Sequence, residues 1–279
     1  MVQIVTDSAS DLPPELSTRY NIHIVPANVW FGPEKYVEGV DLEKHEFYDL
    51  LVSSPLVPRT THAGPRRFLQ EFRRTNDKIL AILTSKKLSP FYQSASLAVA
   101  KFGLGHVTVF DSGTVSMGLG QLVLHAAKLF EEGHSIDSVL DVLERMKQRQ
   151  ALFVLLDTLK YVVRGGRAKR SQEVLSNILN IKPILEVVDG ELIPSMRALG
   201  FDKAKEKILE EASRRYANES QLLASVLYST NLLEGQEFYS TVLERIAPKT
   251  LYIGKVGSSV GSNVGPNALA LAIAPEIFP

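Results

Sequence analysis

Three observations predict an α/β fold of two lobes. Short apolar runs of strand character alternate with helical patterns along the whole chain, at residues 2–7, 78–85, 107–111, 151–157, 222–229 and 250–256. Strands that repeatedly feed helices form layered sheets. The stretch from Tyr161 to Pro194 sits just past the midpoint and joins two differently built halves, with Asp189-Gly190 as a hairpin turn inside it. A chain of 279 residues with 45% apolar content also suffices for one large domain or two lobes. The boundary is placed at Gln150, giving lobes 1–150 and 151–279.

Composition narrows the function classes. Lys+Arg and Asp+Glu are equal at 31 each, so no global field draws the chain to nucleic acid or anionic lipid. Cysteine is absent and the six histidines are scattered without metal-binding spacing, so neither disulfide nor metal nor other cofactor is expected. No leader precedes Val2, and no apolar run approaches the roughly 20 residues that cross a bilayer. A cytoplasmic protein that is not integral to a membrane is the expectation. Gly113, Gly118 and Gly120 do not follow dinucleotide-binding spacing, and neither a Walker lysine nor a GxSxG elbow occurs.

In chain order, residues 2–7 read as a buried strand, with Asp7-Ser8 as a turn and cap before a helix that Pro13 or Pro14 starts. Residues 23–31, with Trp30 the only tryptophan, read as one strand. Asp41 is expected to cap a helix whose Phe47, Leu50 and Leu51 share a face. Pro55 and Pro58 keep the next loop extended until Pro65 restarts a helix with Phe68, Leu69 and Phe72 inward. After the strand at 78–85, Ser89 reads as the N-cap of a helix with Pro90 at its first position. A hydroxyl there, with free backbone N–H groups and the positive end of the helix dipole, also suits an anion. A strand at 107–111, a long helix ending near Gly133, a helix capped by Ser135 and a strand at 151–157 complete this run. Gly165 and Gly166 end a short helix, Ser171 opens another, and Pro183 is expected to stop it before the apolar run 184–188. Beyond the hairpin come helices at 202–216 and 234–246, with strands at 222–229 and 250–256.

The central stretch carries more than fold. GGR at 165–167, then NIKPIL at 180–185, then the Asp189-Gly190 hairpin followed by Arg197, resembles the DegV family of bacterial fatty-acid-binding proteins, and the resemblance covers nearly the whole chain. In that family a TSQP motif supplies a threonine to the fatty-acid carboxylate. Thr60 matches it, with Thr61, His62 and Ala63 replacing the usual serine, glutamine and proline. Leu88 to Ala95 is similar to the family's LSGTYQSA, so Ser89 matches the serine that donates to the carboxylate. The segment NVGPN at 263–267 is similar to the family's HVGPG, which puts Asn263 where a histidine stands beside the carboxylate. Asparagine can donate a hydrogen bond but cannot carry charge or shuttle a proton.

What the resemblance implies is a noncatalytic carrier with a lipid tunnel at the junction of its lobes, binding a long-chain fatty acid such as palmitate through Thr60, Thr61, Ser89 and Asn263. It also implies a separate fatty acid kinase as partner, with Arg164, Arg167 and Arg170 as a docking bend, since that many charges are costly to bury beside one carboxylate. The competing readings are a serine/threonine-dependent hydrolase or a kinase of small molecules, for which His62 beside Thr61 is the candidate base, and a nucleic-acid module using RGGRAKR, which lacks interleaved aromatics.

Overall fold

The computed structural model describes residues 2–167 and 180–279. The expected helix from Ser171 and the candidate docking residue Arg170 lie outside the described residues.

The first sheet is wholly parallel. Its strands β1 (Val2–Asp7) and β2 (His23–Val25) lie beside β6 (Lys78–Leu83) and β7 (Val107–Asp111) in the order β2-β1-β6-β7. Helices α1 (Pro14–Arg19), α3 (Pro65–Phe72) and α4 (Phe91–Phe102) belong to this part. The segment 23–31 is two strands rather than one. Pro26 and Ala27 separate β2 from β3 (Asn28–Phe31), which leaves the parallel sheet for a small antiparallel one with β4 (Glu34–Val37) and β5 (Arg59–Thr61), ordered β4-β3-β5. Proline cannot supply a ladder N–H, so the break falls there. Helix α2 (Lys44–Ser53) starts later than expected. Glu43 is its N-cap in a capping box with Glu46, whereas the Asp41 carboxylate accepts from the backbone of Val37.

The second large sheet takes β8 (Ala151–Leu155), β9 (Ile181–Val188), β10 (Glu191–Leu199), β11 (Leu222–Tyr228), β12 (Thr250–Lys255) and β13 (Leu269–Pro275), ordered β10-β9-β8-β13-β11-β12. Asp189 and Gly190, both at positive φ, close the expected hairpin between β9 and β10. Pro183 lies inside β9, just before Ile184, the first residue of that strand paired with β8. Its fixed φ suits an extended chain as readily as it stops a helix. Helices α8 (Phe201–Arg215) and α9 (Leu232–Arg245) cover the outer face, where Phe153, Leu155, Ile184, Val226 and Leu271 form a core of their own.

Between the sheets run α5 (Ser116–Glu131) and α6 (Ile136–Arg149), the latter capped by Ser135 as expected. One continuous core joins Ile4, Leu80 and Ile82 of the first sheet through Leu119, Leu122 and Val123 to Leu152, Val154 and Ala270 of the second. Helix α5 is therefore apolar around most of its circumference. Gly120 permits its close approach, because a Cβ there would stand 2.8 Å from the Ser10 carbonyl oxygen. Two short helices, α7 (Lys160–Gly165) and α10 (Ser258–Val264), complete the junction.

Candidate functional site

The site grows out of the carboxyl ends of the parallel strands, where loops leave the sheet. Asp7, at the end of β1, is fully buried. It accepts from the Thr84 amide (2.8 Å), the Thr84 hydroxyl (2.7 Å) and the Ala9 amide (3.0 Å), which ties the β1 turn to the β6–α4 loop. Burial pushes its carboxyl up to about 6 against those hydrogen bonds. The loop then turns through Ser85, whose carbonyl accepts from the Leu88 and Ser89 amides. Pro90 rather than Ser89 precedes the first turn of α4, and no side chain caps that helix. Ser89 is thus not the expected cap, and its side chain instead lines a cavity.

The opposite side is built on α10. Asp11 accepts from the Gly257 amide (2.7 Å) and the Ser116 hydroxyl (2.5 Å), while Glu38 accepts from the Ser259 amide (2.9 Å) and the Ser258 hydroxyl (3.0 Å). Two buried carboxylates from the first 38 residues therefore hold the amino end of α10, where the free N–H groups lie. Burial raises Asp11 and pushes Glu38 up to about 7. Near the far end of α10, Asn263 donates back to the Ser259 carbonyl at 3.0 Å, and its Oδ1 packs on Gly165. A Cβ on Gly165 would stand 2.1 Å from that oxygen, so the first glycine of the GGR triplet makes room for Asn263.

Between these walls lies a narrow cavity of about 80 Å³. Thr60, Ser89, Arg167 and Asn263 line it, and an open groove beside Tyr161 and Arg164 shares Thr60, Arg167 and Asn263 with it. The remainder is mostly apolar: Leu88, Val115, Leu152, Val154, Leu192, Val260 and Ala270. Among the described residues, neutral donors and one cation stand beside an apolar slot, a lining whose chemistry suits an anion with a hydrocarbon tail.

Three of the residues singled out in the sequence, Thr60, Ser89 and Asn263, come to this one cavity from three separate elements. Thr61 does not. It points to the other face of β5, where its hydroxyl accepts from the Trp30 indole at 3.2 Å. His62 lines neither the cavity nor the groove; its ring meets Phe91 edge-on at 6.4 Å, and burial lowers its pKa. It is therefore no substitute for a histidine at position 263. Arg164 is exposed in the groove.

Arg167 corrects the expectation of a purely external docking bend. Gly166, left-handed at φ 70°, turns the chain at the end of α7. Arg167 then folds inward, with Nη1 donating to the Gly165 carbonyl at 2.6 Å and Nε to the Leu88 carbonyl at 3.4 Å. Partial burial lowers its pKa, yet a guanidinium stays charged. Sequence reasoning also missed Asp11 and Glu38, which stand among other acidic and turn residues with nothing local to distinguish them.

Among the described residues, no group of three or more histidines or carboxylates could hold a metal ion, and no helix is long and apolar enough to cross a membrane.

Residues 1–276 match the family described as an uncharacterised protein of the DegV family. A DegV domain-containing protein of Deinococcus radiodurans is 31% identical over 277 residues, covering 98% of each chain. Another, from Caldanaerobacter subterraneus, is 37% identical over 212 residues, 75% of each chain. Among solved structures, a DegV family protein from Thermus thermophilus, described for its fatty acid binding, superposes with a TM-score of 0.93 at 31% identity over 98% of this chain and 99% of that one. A Thermotoga maritima protein whose structure revealed a fatty acid binding function superposes at 0.88 with 26% identity over 98% and 99%. With its two large sheets, the helices between them and this cavity, the chain belongs to the DegV family.

Proposed function

We propose that this protein is a carrier that binds one long-chain fatty acid, such as palmitate, and presents the carboxylate to a separate fatty acid kinase in the cytoplasm. The observation that carries the reading is the convergence of Thr60, Ser89 and Asn263, from a strand, a loop and a helix, beside one mostly apolar slot. The fatty acid binding described for the Thermus and Thermotoga relatives supports it. Lobes 1–150 and 151–279 then act as the two jaws of the tunnel, joined by the Asp11 and Glu38 hold on α10.

Energetics favour such a ligand. Each methylene that the slot takes out of water contributes roughly 0.8 kcal/mol before ordering costs. The carboxylate takes hydrogen bonds from Thr60 and Ser89, and Arg167 supplies the compensating charge, without which its burial is costly. A hydrolase needs a base beside its nucleophile. Among the described residues, no histidine or carboxylate lines this cavity. Asn263, which cannot titrate, suits holding the acid better than assisting its phosphorylation, so Asn263→His is expected to raise acyl-phosphate formation by a partner kinase with little change in lipid retention.

Native mass spectrometry of protein expressed in bacteria, with extraction and identification of bound lipid, tests the carrier reading. One fatty acid per chain is expected. A chain that carries none, and takes up none on addition of palmitate or oleate, overturns it.

A further inference from the structure

Two open pockets adjoin the cavity, and among the described residues they share none with each other. At the polar end, the surface groove shares Thr60, Arg167 and Asn263 with it. Elsewhere, an open chamber of about 510 Å³ shares a single one of the described residues with it, Leu152. The order is therefore groove, cavity, chamber, with one leucine common to the last two. We propose that Leu152 is the end stop for the acyl chain and sets the longest fatty acid that the protein accepts, an inference that rests on the fatty-acid reading above.

The chamber differs from the slot in kind. Its walls include Lys86, Asp111, Lys147, Glu186 and Arg215, so a methyl terminus pushed past Leu152 leaves apolar contact for charged surroundings and gains no burial there. Leu152 itself is 1% exposed, on the face of β8 that looks toward α5, paired in register with Ala272. Its neighbour in the wall, Leu192, comes from the β9–β10 hairpin, and the tip of that hairpin is seated. Ser85 donates to the Gly190 carbonyl at 2.7 Å, and a Cβ on Gly190 would stand 2.6 Å from the Ser85 oxygen. Backbone thus fixes the roof, and the side chain at position 152 sets the length beneath it.

The test is competition of saturated fatty acids, from about 12 to about 22 carbons, against a bound fluorescent polyene fatty acid. Affinity rises about fourfold for each added methylene that the slot admits, then stops rising. Leu152→Ala moves that break to longer chains by about two carbons, and Leu152→Phe moves it to shorter chains by a similar amount, as expected from the side-chain reach gained or lost. Leu155→Val, on the same strand but the opposite face, leaves the break where it was. Leu152→Val, which keeps most of the packing, reads the same shift on a smaller scale if the alanine variant does not fold. An unchanged break in folded Leu152 variants overturns the end stop while the carrier reading stands. A wild-type protein that binds no chain of any length brings down the carrier reading itself.

Discussion

The two large sheets meet the cavity in different ways. The parallel sheet meets it with its edge: Ala9, in a short helical turn, and Thr84, Leu88 and Ser89, on a loop, follow the carboxyl ends of β1 and β6. The mixed sheet meets it with its face: Leu152, Val154, Leu192 and Ala270 are strand residues. Loops at strand ends offer hydroxyls and amides at adjustable positions, whereas a strand face offers a fixed apolar wall. A receptor for an acid with a long tail uses both, with recognition of the head assigned chiefly to loops and of the tail to strands.

The largest effect is expected from the face. Ala270 lies opposite Val154 on the neighbouring strand and lines the slot, so Ala270→Phe fills the path of the tail. Loss of fatty acid affinity by more than about 100-fold is expected, with overpacking costing about 1–3 kcal/mol of stability. Titration with a fluorescent fatty acid, alongside urea unfolding, separates the two. Retained affinity in a folded variant breaks the assignment of the tail to the mixed sheet.

Changes at the polar end are expected to cost less. Ser89→Ala removes one hydrogen bond to a charged group, worth about tenfold in affinity, and Arg167→Gln about tenfold or somewhat more. The arginine change is the sharper of the two. A role confined to partner docking leaves fatty acid affinity untouched, whereas a cavity cation weakens binding more for the ionised acid than for an alcohol of the same chain length.

The joint between the regions carries its own signature. Burial lets Glu38 hold its proton up to about pH 7 in the folded protein, against an ordinary carboxyl value of 4.5. Between those values the folded state binds more protons than the unfolded one, so the contribution of this group to stability is full below about pH 4.5 and is lost as pH rises through about 7. Asp7, pushed up to about 6, adds a slope of the same sign. Glu38→Gln keeps an acceptor for Ser258 and Ser259 but does not titrate. Relative to wild type, it is expected to gain on the order of 3 kcal/mol at pH 8 and little at pH 4, read from urea midpoints. Equal pH slopes for the two proteins would remove Glu38 from the joint's titration.

Much of the parallel sheet was legible because buried parallel strands are continuous apolar runs closed by turn residues, as at residues 2–7 and 107–111. The mixed sheet hid its middle. Strand β13 pairs antiparallel with both β8 and β11, yet it follows closely on the glycine-rich 257–265 segment, and no strand is expected there from the sequence. Ser89, Thr60 and Asn263 were found through family resemblance, since each alone resembles an ordinary cap or loop residue. Arg167 was misplaced for a physical reason: charge count argues for solvent, but a left-handed glycine and two carbonyl acceptors bring one arginine of the bend inside.

The smallest effect tests the finest part of the comparison. Thr60 and Thr61 are adjacent on β5, so their side chains leave opposite faces of the strand, and only Thr60 reaches the cavity. The Thr61 hydroxyl is occupied by the Trp30 indole. Thr60→Val is expected to lower fatty acid affinity several-fold, since a methyl replaces a donor to the carboxylate at nearly constant volume. Thr61→Val leaves affinity unchanged and instead removes the acceptor from the only tryptophan, so its intrinsic fluorescence shifts while binding does not. The reverse pattern, with affinity lost at position 61 and kept at 60, would mean that β5 presents its other face to the ligand, and the polar end of the site would have to be rebuilt around Trp30.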